Sequence, residues 1–273
     1  MPSHPLDRAL IVSAAALASE SPQDIVQSNI DFLNALFGEH LWAEEVPADG
    51  LRSYYVDYWL AQLNNGGCSQ FIYNTQWNQQ VVTLVREGLT AMGAQGHLAI
   101  LERCAQQVER LSQEQLTAYF ASDYFGENST RDKLNAPNDA FFALEKTTPL
   151  LALNAAWLRT HPALVALSED EMTAEAQRRG QALPDRAIRE AAALASEPRH
   201  LKIIRLLCEH AGQQLEQLTA ADPSRIHEGK PTVAYHFVTD QGHHHMIDLE
   251  DRALMFRGDS TTDLVCQLGG PES

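Results

Sequence analysis

The chain has 273 residues, 44% hydrophobic and 21% charged, which fits a packed globular protein and argues against disorder. Acidic residues outnumber basic ones 36 to 20, for a net charge of −16. Phosphate contacts need Lys and Arg, so this balance disfavours direct nucleic-acid binding and favours a basic partner. The four cysteines, Cys68, Cys104, Cys208 and Cys266, are far apart and form no CxxC pair. Reduced thiols in a cytoplasmic protein are expected, with neither a disulfide framework nor a zinc site.

The acidity is uneven. Residues 1–50 hold eight acids (Asp7, Glu20, Asp24, Asp31, Glu39, Glu44, Glu45 and Asp49) and a single base, Arg8. The apolar run from Ala9 to Ala18 is short for a membrane span. Asp7 beside Arg8 makes a poor signal-peptide start, so the run is read as a first amphipathic or buried helix. Ser21-Pro22-Gln23-Asp24 supplies a cap, a proline at the first helical position and an early acid. That predicts a helix with Ile25, Ile30, Phe32, Leu33 and Leu36 inward, stopping at Gly38.

The next helix is predicted over 50–64, where Tyr54, Tyr55, Tyr58, Trp59 and Leu63 recur at helical spacing. That stripe is read as core, with an aromatic-lined binding pocket as the competing reading. Asn65 or Gly66 can take the left-handed conformation that ends the helix, Gly67 allows close backbone approach, and Gln70 can bond the open carbonyls of the turn. A short apolar segment with Phe71 and Tyr73 follows. Further helices are predicted over 77–93, 95–110, 112–120, 139–145 and 149–161, with a polar loop over 121–138. Ser168 with Glu171 makes a capping box, and two more helices fall at about 185–195 and 198–218. The Ala-Asp-Pro stretch at 221–223 is expected to end the helical part.

From about 231 the apolar period changes to two. Val233, Tyr235 and Phe237 alternate with their neighbours, Gln241-Gly242 reads as a turn, and Met246–Leu249 returns. Two more strands follow at 253–256 and 264–268. The fold expected is mainly α, with a small C-terminal antiparallel sheet, α+β overall.

No HExxH, GxSxG, phosphate loop or GxGxxG is present. No catalytic residue and no cofactor is therefore assigned. Cys68, beside the Gly-Gly turn, is read as a packing residue rather than a nucleophile. With a turn at Gln241-Gly242, His236 and His245 fall on one face as diagonal neighbours. They are weak metal candidates, since a third ligand is lacking.

Asn65-Gly66-Gly67-Cys68-Ser69-Gln70-Phe71, closed by Asn74, resembles the signature of the acidic bacterial DNA-mimic protein family. Gly88–Ala94 with Leu98–Leu101, and Trp157–Pro162, are similar to later parts of the same pattern. Cys68 departs from it, standing where a larger apolar residue is expected. The resemblance covers roughly residues 25–165 and implies a helical domain over 1–165, with residues 166–273 as a C-terminal extension. It also implies a non-enzymatic protein that sequesters a basic DNA-binding transcription regulator by presenting carboxylates in place of phosphates. The partner-binding acids are then Glu20, Asp24, Asp31, Glu39, Glu44, Glu45 and Asp49, while Asn65, Gly66, Gly67, Gln70, Phe71 and Asn74 are structural. No membrane contact is implied, and a homodimer is compatible. The alternatives are an immunity- or antitoxin-like binder of a basic toxin, and an enzyme using the pocket near Tyr54, Tyr58 and Trp59.

Overall fold

The computed structural model describes residues 6–269. It divides into two compact units, 1–186 and 187–273.

Unit 1 begins with a strand where a helix is predicted. β1 (Leu10–Ser13) is buried throughout and precedes a one-turn helix α1 (Ala14–Ala18). Ile11 and Val12 are β-branched, and a continuous apolar run of this length suits a fully buried strand. Its partner is β2 (Leu164–Leu167), paired parallel in the register Leu10↔Leu164 to Ser13↔Leu167. Between them run α2 (Pro22–Gly38), α3 (Ala48–Gly66), α4 (Cys68–Thr75), α5 (Gln79–Ala91), α6 (Gln95–Glu109), α7 (Gln113–Phe120), α8 (Ser129–Leu134), α9 (Asn138–Glu145) and α10 (Leu150–Arg159). α8 lies inside the predicted loop, its first turn capped by Asn128 Oδ1 accepting from the Arg131 amide. α11 (Glu169–Gln181) starts at the expected capping box, with Ser168 and Glu171 bonded reciprocally.

The central core joins Trp59, Leu63, Phe71, Val85, Leu89, Leu101 and Phe141, all fully or almost fully buried. Each such side chain stabilises the fold by about 1.5–3 kcal/mol on burial. Trp59 meets Phe141 and His97 edge-on within the core, and half-buried Tyr55 and Tyr58 pack against it. Cys68 and Cys104 lie in this core with Cα atoms 6.2 Å apart and their sulfurs in contact. Packing of α4 and α6 residues into one core brings together cysteines 36 residues apart, a proximity no local spacing announces. Cys208 and Cys266 are free.

A polar pair ties α10 to α3 within the apolar interior. Buried Asn154 accepts from Ser53 Oγ at 2.8 Å and donates to the Ser53 carbonyl at 3.1 Å. α5 presses close to α3 because position 88 is glycine: a Cβ there would stand 2.9 Å from the Arg52 carbonyl.

The residues after the unit boundary form α12 (Arg186–Ser196) and α13 (Arg199–Ala211), then a five-stranded antiparallel sheet. Its strands are β3 (Leu215–His227), β4 (Lys230–Thr239), β5 (Gly242–Asp248), β6 (Arg252–Arg257) and β7 (Leu264–Gly269), in sequence order. α13 stops at Gly212 in the left-handed conformation, short of the predicted end at 218. β3 then runs through Ala221-Asp222-Pro223, accommodating the proline at a register shift between Asp222 and Arg225. One face of the sheet packs Phe237, Met246 and Met255 against Ile204 and Leu207 of α13. The other carries Ala234, Ile247, Leu254 and Phe256.

Candidate functional site

The Asn-Gly-Gly motif is a corner whose capping groups come from far along the chain. Gly66 is the last residue of α3, and Gly67 takes φ of 81°. Asn138 Oδ1 accepts from the Cys68 amide at 3.0 Å, and Asn135 Oδ1 accepts from the Ser69 amide at 2.9 Å. These are two of the open donors at the start of α4. The Gly66 carbonyl accepts from Tyr124 Oη at 3.1 Å and from Ser69 Oγ at 3.2 Å.

The roles expected within the motif change accordingly. Gln70 bonds the turn through its backbone amide, which donates to the Gly67 carbonyl at 3.1 Å, while its side-chain Nε2 donates to Gln62 Oε1 at 3.0 Å, where Asn74 Nδ2 also donates at 2.6 Å. Phe71 is fully buried in the core. Asn65 is exposed and remains in the helix, as does Gly66, and the helix ends instead at Gly67, with positive φ and extended ψ of −169°. Asn135 and Asn138 escaped the sequence reading because nothing local in an Asn-x-x-Asn loop points to an amide 66–70 residues upstream.

The seven acids expected to meet a partner fall into two groups. Glu20, Asp24 and Asp31 are exposed at and along α2. Asp24 accepts from Ser19 Oγ at 2.5 Å and Asp31 from Gln27 Nε2 at 2.8 Å. Asp24 and Asp31 share a helix side seven residues apart, about 10 Å along the axis. Glu39 is half-buried and neutralised by Arg186 at 2.7 Å.

Glu44, Glu45 and Asp49 come together on a ridge formed by the 3-10 turn Ala43–Glu45 and the start of α3. Glu45 Oε2 accepts from the Trp42 amide at 2.8 Å, which closes the turn, and Trp42 itself is exposed. Concavities flank the ridge. One of about 480 Å³ is lined by Asp7, Arg8, Glu44, Glu45, Asp49 and His161 among others. Another, of about 440 Å³, is lined by Glu44, Leu51, Gln80, Leu84 and Glu87. A third, of about 270 Å³, has Asp7, Glu45, Arg178 and Arg179 in its wall. Glu44 thus borders two of them and Glu45 two.

Asp49 is the organised member of the group. Its Oδ1 accepts from Arg52 Nη1 at 2.6 Å, and its Oδ2 lies 3.1 Å from His161 Nε2. Arg52 also reaches Glu87 at 2.8 Å. Hydrogen bonds to Glu87 and Asp49 hold the Arg52 guanidinium above its ordinary pKa, so it is a fixed cation beneath the ridge. Among the described residues, Glu20, Asp24, Asp31 and Glu44 make no ion pair. Arg52 follows Asp49 at i,i+3 on α3, a local signal that could have found it, whereas Glu87 and His161 reach this cluster only through tertiary packing. The ridge offers carboxylates and concave walls to a cationic surface, and such charge steers encounter as well as contact.

No helix among the described residues is long and apolar enough to cross a membrane. The histidines His236 and His245 are in direct register on β4 and β5 rather than diagonal, because the turn residues are Asp240-Gln241 and Gly242 already belongs to β5. His245 is fully buried, its Nδ1 2.6 Å from the Gly258 carbonyl and its ring stacked on Phe256.

No curated protein and no solved structure matches the chain. Glu44, Glu45 and Asp49 fall inside the segment for which a family model does match, while Glu20, Asp24, Asp31 and Glu39 precede it. That model describes DMP19-like proteins and matches residues 44–161, so the segment from the acidic ridge through the Asn-Gly-Gly corner to His161 is similar to DMP19-like proteins.

Proposed function

We propose that this protein binds the phosphate-reading face of a basic DNA-binding regulator through the ridge at Glu44, Glu45 and Asp49, and does so without a reaction of its own. The observation that carries the reading is Glu44. It is exposed, makes no ion pair, borders two concavities and lies within the DMP19-like segment. A partner's Arg or Lys entering either concavity exchanges hydration for a charge-assisted hydrogen bond. The acids of α2, Asp24 and Asp31, extend the negative field beyond the ridge and serve mainly to speed association. The cytoplasm is the compartment this reading requires, since the regulator works there.

The test has two stages. Full-length protein is used to capture partners from lysate at low and high salt, and the captured regulator is then purified. Duplex DNA carrying its operator is titrated into the complex. Mimicry predicts that operator DNA and this protein exclude one another, that Glu44→Lys weakens the complex at least tenfold, and that binding falls steeply with salt. A captured partner that binds operator and this protein together overturns the mimic reading, as does one indifferent to Glu44→Lys.

A further inference from the structure

The C-terminal sheet holds a second constellation that is independent of the acidic ridge. His236 on β4 and His243 on β5 stack ring to ring, with centroids 5.3 Å apart and planes 6° from parallel. Asp259, on the β6–β7 turn, brings Oδ1 to 3.7 Å from His236 Nδ1. One ligand-type atom from each of these three side chains lies within 4.8 Å of the others. Among the described residues, no ring nitrogen of His236 or His243 and no carboxylate oxygen of Asp259 makes a hydrogen bond to the protein.

The backbone beneath these groups is fixed. His236 pairs with His245 and Val238 with His243, so the two histidines share one face as diagonal neighbours. The turn carrying Asp259 is fastened at three points. The Gly258 amide donates to the His243 carbonyl at 2.7 Å. The Gly258 carbonyl lies 2.6 Å from His245 Nδ1. Arg225 Nη2 donates to the Asp259 carbonyl at 2.7 Å. Buried His245 is therefore the anchor of the turn rather than a ligand. The arrangement explains why His236 and His245 alone lacked a third ligand: it comes from the neighbouring hairpin, and it pairs with His243.

We propose that His236, His243 and Asp259 bind a divalent first-row transition ion, with zinc as the representative. Two imidazoles and one carboxylate form a borderline N/O donor set, which suits Zn²⁺, Ni²⁺ and Cu²⁺ better than Mg²⁺ or Ca²⁺. Closing the set from 4.8 Å to coordination needs only rotation of exposed His243 and Asp259, since His236 is held by the sheet. His243 and Asp259 are exposed, so the remaining coordination positions face solvent. The ion bridges β4, β5 and the β6–β7 turn.

The experiment is calorimetric titration of untagged full-length protein with zinc chloride at neutral pH, repeated with calcium chloride. Zinc uptake at one equivalent, with no calcium uptake, is expected. His243→Ala and Asp259→Asn each lower zinc affinity by about tenfold or more, whereas His210→Ala, an exposed histidine on α13, leaves it unchanged. Cupric ion supplies a second readout, because nitrogen hyperfine lines from two imidazoles in its electron spin resonance spectrum should fall to one in His243→Ala. Both test substitutions are at exposed positions, and far-ultraviolet circular dichroism confirms that they leave the fold intact. Absence of zinc uptake, or uptake indifferent to both substitutions, overturns the site.

Discussion

Asn138 Oδ1 accepts from the Cys68 amide at 3.0 Å beside Gly67, and a Cβ on Gly67 would clash with the Asn138 side-chain nitrogen. One glycine thus meets two demands. It takes φ of 81°, and it leaves room for a cap donated by residues 70 positions later. The Asn-Gly-Gly signature is therefore a docking corner for the α8–α9 connection.

Gly67→Ala should destabilise unit 1 by about 3 kcal/mol. The positive-φ extended backbone at Gly67, a region essentially confined to glycine, costs about 1–3 kcal/mol for an L-residue, and displacing the asparagine caps adds about 1 kcal/mol each. Urea unfolding followed by tryptophan fluorescence is the measurement, because Trp42, Trp59, Trp77 and Trp157 all lie in unit 1. A midpoint equal to wild type would sink the corner model.

Asn154→Leu should cost about 2–4 kcal/mol in the same assay. It strands the Ser53 hydroxyl in an apolar interior, at about 1–3 kcal/mol for an unsatisfied group, and removes the second hydrogen bond of the Ser53 carbonyl, which keeps its partner along α3, at about 1 kcal/mol. The double variant with Ser53→Ala should recover part of the loss, since one orphan disappears with the hydroxyl. No recovery would mean that the pair contributes shape rather than hydrogen bonding.

Acid should loosen unit 1 through Glu175. Burial alone would push this carboxyl up, but hydrogen bonds from Arg178 and Arg179 outweigh it and hold the pKa below its ordinary value. A depressed carboxylate contributes stability above its unfolded pKa of about 4.3 and loses it as pH falls through the lower folded value. Glu175→Gln should be less stable than wild type at neutral pH and show a shallower decline below about pH 4.5. Parallel curves for the two proteins would remove Glu175 from the account.

Glu44→Lys should leave stability within about 0.5 kcal/mol, because the side chain is exposed and makes no ion pair. Its effect on partner dissociation should exceed that of Asp24→Lys with Asp31→Lys, which should act chiefly on the association rate. Surface plasmon resonance separates the two. The reverse ranking would move the interface from the ridge to α2.

Much of the helical plan was legible because the signals were local. Ser21 to Asp24, the capping box Ser168–Glu171 and the stop at Gly38 each lie within one turn of the helix end they mark. β1 was misread because Leu10 to Ser13 is too short for periodicity to separate a buried strand from a helix, and its partner β2 lies more than 150 residues away. The β4–β5 register slipped by one turn residue for a similar reason: Gly242 suits either the turn or the first strand position, and only pairing with Thr239 decides.

Composition and short-range spacing by themselves determined the acidity, the helical body, the C-terminal meander and the kinship carried by Asn65–Asn74. Those properties depend on residues a few positions apart. Tertiary structure alone decided which carboxylates stay open and which are spent on distant partners: Glu39 on Arg186 and Asp49 on His161, with Glu44 left facing solvent. It also decided that Asp259 stands beside His236 and His243. The physical reason is the same in each case. A charge or ligand acquires its role from groups brought near it by packing, and that distance in space is not written as distance along the chain.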